Sequence, residues 1–171
     1  MAYRSFIAFS LMAAFVSFLA IGCGGEKTAE DISERKINVV ATIGMITDIV
    51  ENIGGERVRA TGLMGPGVDP HLYKASEGDV SRMANADVIF YNGLHLEGAM
   101  TEVFEQMRKR VNTAAVSENI DPALLQESPL YEGAHDPHIW FDVTLWMEAV
   151  KTVRDRLIEM DPAHEEIYTN N

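Results

Sequence analysis

From residue 37 onward, apolar positions switch between two rhythms. Ile37 to Ile43 is a β-branched run and predicts a strand. Met45, Ile46, Ile49, Val50 and Ile53 recur at helical spacing, and Gly54-Gly55 then ends that helix. Arg57 to Met64 predicts a second strand, followed by a Gly- and Pro-rich loop over Gly65 to Tyr73. Ser76 to Asn85 predicts a helix with Ser76 as its N-cap. Asp87 to Tyr91 is a third strand, closed by Asn92-Gly93. Ala99 to Arg110 is a helix whose basic last turn suits its dipole. Asn112 to Ser117 is a fourth strand, and Glu118 to His138 is mixed. Asp142 to Met160 is a long amphipathic helix with Val143, Leu145, Trp146, Ala149, Val150, Val153, Leu157 and Ile158 on its apolar positions. Asp161-Pro162 then resembles an N-cap followed by proline at the first position of another helix.

Strands alternating with helices predict parallel βα units, and therefore an α/β three-layer sandwich with a mostly parallel sheet. Ligands in such sheets lie beyond the carboxyl ends of the strands. The Gly65–Tyr73 loop leaves the carboxyl end of the second strand, so a site is expected there.

The first 22 residues stand apart. Arg4 precedes an apolar run from Phe6 to Ile21, and small residues follow. That is the build of a secretory signal. A membrane-spanning helix is the competing reading, and the run is marginal for the roughly 20 apolar residues a span needs. Ala20-Ile21-Gly22-Cys23 resembles a bacterial lipoprotein signal, in which the cysteine is lipidated; Ala20 stands where leucine is usual. Residues 1–22 are thus expected to be a signal peptide, Cys23 the lipid attachment point, and 23–36 a flexible tether. Cys23 is the sole cysteine, which excludes an intrachain disulfide and any multi-cysteine zinc site. The formal net charge is −12, and loss of Arg4 with the leader makes it −13. No nucleic-acid partner is expected of so acidic a chain.

Four of the six prolines follow aspartate, and two of those pairs are followed at once by histidine: Asp69-Pro70-His71 and Asp136-Pro137-His138. Proline fixes its own φ and keeps the preceding residue extended, so each histidine is presented from a stiff loop. Neutral imidazole suits Zn, Mn and Fe, and the second ring nitrogen needs an orienting partner. Asp69, Asp136 or a backbone carbonyl can supply it. On spacing alone, two unliganded surface-loop histidines explain the pattern as well as a metal site does.

From Ile37 to its end the chain resembles the metal-binding solute receptors of ABC importers, the TroA- or ZnuA-like family. The resemblance rests on Ala41-Thr42-Ile43-Gly44-Met45, on Gly65 to Tyr73, on Ala86 to Glu97, and on Asp136 to Asp142. It implies that His71 and His138 ligate a divalent transition metal, Mn, Zn or Fe, as the transported ligand. It also implies the N-terminal lobe of a two-lobed, helix-linked receptor. Residues 37–160 would form that lobe and 161–171 the start of the inter-lobe helix. The C-terminal lobe, with two further ligands, would be missing from this chain as from a fragment. An exported, lipid-anchored monomer that delivers its ion to a permease follows. The segment Ser117 to His135 is too short for the His-rich insertion of zinc-specialised members, which favours manganese, iron or mixed zinc/manganese use.

The remaining candidates carry smaller roles. His95 is expected near the site without ligating. The spacing of His135 to His138 is His-x-x-His, but an intervening Asp-Pro excludes a helix. His164 is expected to be structural or solvated. Glu97 and Asp142 are candidate carboxylates behind the ligands, with helix capping the main expectation for Asp142. Trp140 and Phe141 are expected in the core. A zinc-dependent hydrolase would need three ligands, an open water position and a general base, and no His-Glu-x-x-His helix is present; no enzyme is expected. A surface adhesin is the other alternative, since the export signal supports it equally.

Overall fold

The computed structural model describes residues 32–129 and 132–171. The expected signal peptide and Cys23 lie outside these residues, as does the tether up to residue 31. Four parallel strands form one sheet: β1 (Ile37–Ala41), β2 (Val58–Gly62), β3 (Val88–Tyr91) and β4 (Asn112–Ala115), in the order β2-β1-β3-β4. The helices are α1 (Gly44–Gly54), α2 (Glu77–Ala84), α3 (Thr101–Met107), α4 (Val143–Met160) and α5 (Glu165–Asn170). Alternating strands and helices thus give the α/β class expected.

The two central strands, β1 and β3, are buried almost throughout, as strands covered on both faces must be. Strand β2 sits at the sheet edge and exposes most of its residues. Helix α1 packs with α4 and α5, and α2 packs with α3, two groups that the right-handed rule for parallel crossovers assigns to opposite faces of the sheet. Helix α4 packs on α1 through Leu145, Ala149, Val153 and Leu157, four buried residues spaced one turn apart. Helix α5 packs on α1 and α4 and buries Tyr168.

Local chemistry fixes the helix ends. Ser76 caps α2 as expected, and Asp79 completes the exchange by accepting the Ser76 N–H. Gly55, at φ +50°, turns the chain out of α1. Asp142 accepts the N–H groups of Thr144 and Leu145 at the start of α4. Three expectations need correction. Helix α3 stops at Met107, so Arg108, Lys109 and Arg110 form the turn after it rather than its last turn. Val143 is 74% exposed, because the first turn of α4 overhangs the core. Asp161 does not cap the following turn. Its buried carboxylate instead accepts Arg57 Nη2 at 2.8 Å, Tyr168 Oη at 2.7 Å and His164 Nδ1 at 2.9 Å. A long-range cation outcompetes local backbone amides for a buried acid.

At the other end of the described unit, Arg35 grips Asp87 through two bonds of 2.6 and 2.8 Å. Arg57 Nη2 also donates to the Ile32 carbonyl. No helix among the described residues is long and apolar enough to cross a membrane.

Candidate metal centre

The sheet order reverses direction between β1 and β3, and that is where an open α/β sheet forms its crevice. At its floor lies Glu97, buried, with no cation against it among the described residues. Its carboxylate accepts Thr42 Oγ1 at 2.6 Å, Asn92 N at 2.8 Å and Gly93 N at 3.3 Å. Burial pushes its pKa above the ordinary value, against the pull of those donors. Thr42 follows β1 and Asn92 follows β3, so one carboxylate ties the two strand ends together.

Asn92 carries the tie outward. Its Nδ2 donates to the Pro137 carbonyl at 2.9 Å and to the Gly93 carbonyl at 3.1 Å. Ser117 Oγ in turn donates to the Asn92 carbonyl at 2.7 Å. Pro137 is the middle residue of the second Asp-Pro-His, so the clamp fixes that turn to the floor of the crevice.

The two Asp-Pro-His tripeptides fold alike. Asp69 Oδ1 accepts His71 N at 2.9 Å, and Asp136 Oδ1 accepts His138 N at 3.0 Å. Each aspartate closes a turn over its proline and projects the histidine beyond it. The turns differ in one respect: Asp136 Oδ1 also bonds His138 Nδ1, at 2.6 Å. This bond puts the ring proton on Nδ1 and leaves the Nε2 lone pair free. The His138 N–H and ring together hold the Asp136 pKa below the ordinary value.

The structure brings His71 and His138 together. Their Nε2 atoms lie 3.4 Å apart, with the rings edge to face at 61°. Two nitrogens each about 2.0–2.1 Å from one zinc ion, at a tetrahedral angle, would lie about 3.4 Å apart. Among the described residues, no group of three or more His, Cys, Asp or Glu side chains is placed to hold a metal ion. The two imidazoles therefore form an open pair. They line a cavity of about 200 Å³ with His95, His135 and Asp136. Four of the five histidines thus face one small space. His135 does not join the pair, and its Nδ1 is buried with no hydrogen-bond partner among the described residues. His164 does not line this space and bonds Asp161 instead.

Of the two aromatics expected in the core, Trp140 packs against it and Phe141 does not. Residues Ile139–Phe141 form one 3₁₀ turn, which rotates successive side chains by about a third of a circle. Ile139 points into the core, Trp140 is half-buried beside the His138 ring, and Phe141 is 82% exposed. Sequence reasoning also missed Asn92. Asn-Gly reads as a strand-ending turn, and nothing local marks a bond to a carbonyl 45 residues away.

Comparison with known proteins follows the same lines. The chain is 43% identical over 164 residues to the manganese-binding lipoprotein MntA of Bacillus subtilis, covering 94% of this chain and 53% of MntA. It is 51% identical over 137 residues to the zinc-binding protein TroA of Treponema pallidum, covering 80% of this chain and 44% of TroA. The solved structure of that periplasmic zinc-binding protein superposes with a TM-score of 0.75 at 49% identity, over 79% of this chain and 48% of the other. The chain spans about half the length of the curated relatives it matches. A family model described as ZnuA, zinc-uptake complex component A, periplasmic, matches residues 39–171. The chain therefore belongs to the ZnuA family of metal-uptake binding components.

Proposed function

We propose that this chain is the ion-capturing lobe of an extracytoplasmic receptor that delivers a divalent transition metal (Mn, Zn or Fe) to the permease of an ABC importer. His71 and His138 are its ligands through Nε2. The observation that carries this is the convergence of two Nε2 atoms at 3.4 Å, from two turns built by the same Asp-Pro-His sequence. The matched family and the metal names of both relatives support it.

The site acts by capture and release. The turn bonds and the Asn92 clamp hold the imidazoles before the ion arrives, so little ordering entropy is lost on binding. An open pair of imidazoles leaves coordination positions for groups outside the described residues, and closure of those groups over the ion is the event a permease reads. Lipidation at Cys23 would keep a monomeric receptor beside that permease, on the outer face of the membrane. Residues 1–22 serve as export signal, 23–36 as tether, and 37–160 as the lobe, with 161–171 opening the connection to a second lobe.

Elemental analysis and metal titration test the reading. About one divalent ion per chain is expected, with affinity strongly reduced in His71→Ala and in His138→Ala. Metal-free wild type, or binding untouched by both substitutions, would overturn it.

A further inference from the structure

Beside the histidine cavity lies a larger one of about 620 Å³, beyond the carboxyl ends of β3 and β4. Its size is that of a small-molecule site, and its place is where α/β sheets hold ligands. The metal reading makes no use of it. Residues Leu94, His95, Ala134 and His135 line both cavities and so form a shared wall.

Four independent features converge on this space. The first is an aromatic side: Tyr91 and Phe104 stack at 4.3 Å between ring centroids, with Leu125 and Ile120 among the other apolar lining residues. The second is a cation. Arg108 lines the cavity, donates to Tyr91 Oη and holds its guanidinium 5.6 Å from the centre of that ring. It pairs with no carboxylate among the described residues, and neither do Lys109 and Arg110 beside it. Of these three, Arg108 is the one that lines the cavity. The third is His135 Nδ1, a polar atom in the shared wall that is buried without a hydrogen-bond partner among the described residues. Such an atom costs free energy unless something bonds it. The fourth is backbone strain. Leu94 and His95 sit at φ +51° and +62°, in a region that non-glycine residues rarely adopt, Leu less readily than His, and such residues cluster at functional sites.

Acidic groups also face the cavity. Glu97 is bonded to Thr42 and the backbone, Glu118 is paired with Arg156, and Glu105 is exposed at the rim. Glu118 is therefore paired and Glu97 is held by neutral donors on the buried side, while Arg108 has no carboxylate partner among the described residues. We propose that this cavity is a second binding site, for a small organic carboxylate with a ring-sized apolar body. The carboxylate pairs with Arg108, whose planar fork fits it. The body fills the aromatic and aliphatic side. The site is separate from the histidine pair and does not need a metal.

Calorimetric titration of the metal-free full chain with phenylacetate tests this. Acetate, benzyl alcohol and inorganic phosphate serve as comparison probes, lacking in turn the ring, the charge and both carbon body and carboxylate. Saturable phenylacetate binding is expected, at least about tenfold tighter than that of any comparison probe. Arg108→Gln, at an exposed position after α3, should lose it by about tenfold or more with an unchanged melting temperature. No saturable binding would overturn the proposal. So would phosphate or benzyl alcohol binding equally well, or an Arg108→Gln variant that binds phenylacetate like wild type.

Discussion

Replacing Asp136 separates two tasks that one carboxylate performs. Its Oδ1 closes the turn through His138 N and orients the His138 ring through Nδ1. Asp69 closes the equivalent turn through His71 N, with no bond to the His71 ring among the described residues. The two aspartates are thus an internal control for each other. Asp69→Ala removes one ordinary turn bond, about 0.5–1.5 kcal/mol, which is roughly 2- to 12-fold in metal affinity. Asp136→Ala removes an equivalent bond and the charged ring bond as well. Loss of such an orienting partner lowers metal affinity by about 10- to 100-fold. Both groups of that pair are about one-third exposed, so solvent screening puts the expected loss near the lower end. Asp136→Asn keeps a turn acceptor but offers the ring only a neutral partner, and it should fall between wild type and Asp136→Ala. Competition for Zn or Mn against a chromophoric chelator at pH 7 measures all three. If Asp136→Ala binds metal no more weakly than Asp69→Ala, the ring bond contributes nothing and the orienting role is wrong.

Two further outcomes concern the scaffold. Asp161→Ala strands Arg57 and the Tyr168 hydroxyl in the interior. It should cost about 3 kcal/mol in urea unfolding, the low end for a broken buried pair because Arg57 is partly exposed; a loss below 1 kcal/mol would mean the cluster is incidental. Glu97 and Asp161 should also pull stability in opposite directions with pH. Burial pushes the pKa of Asp161 up, but the bonds from His164, Tyr168 and Arg57 together outweigh it and leave it depressed, so its stabilisation is present above pH 3.8 and lost as pH falls through its folded value. The pKa of Glu97 is raised by burial, so its protonated form favours folding fully below pH 4.5, and that contribution is lost as pH rises through the folded value. Glu97→Gln should flatten the decline on the alkaline side of 4.5 and leave the acid limb alone. An unchanged alkaline limb would show that Glu97 titrates as it does in the unfolded chain.

What could be read from the sequence was what repeats locally. The buried faces of α1 and α4 declare themselves by apolar spacing, and Ser76 by its position before a helix. Two copies of Asp-Pro-His pointed to the histidine pair, because the same local turn is made twice. What could not be read was set by distance along the chain. Asp161 looked like a helix cap because its neighbours are a proline and a helix, but its charge partner is Arg57, 104 residues earlier. Phe141 looked like core by residue type, and only the rotation of a 3₁₀ turn sends it outward. Asn92 is invisible for the same reason as Asp161: its target lies in another loop.

The closing contacts of the described unit join residues far apart along the chain. Tyr168 is 1% exposed, Asp161 waits on Arg57, and Asn171 Nδ2 donates to the Ile53 carbonyl across 118 residues. A ribosome that has made the first four strands has therefore made a sheet whose outer helical layer cannot yet seal. Contacts this distant in sequence form slowly, because a long loop must close before any of them is rewarded. Until residues 161–171 are in place, the buried faces of α1 and α4 that they cover stay open to solvent, so this short segment decides when the described unit becomes a closed one.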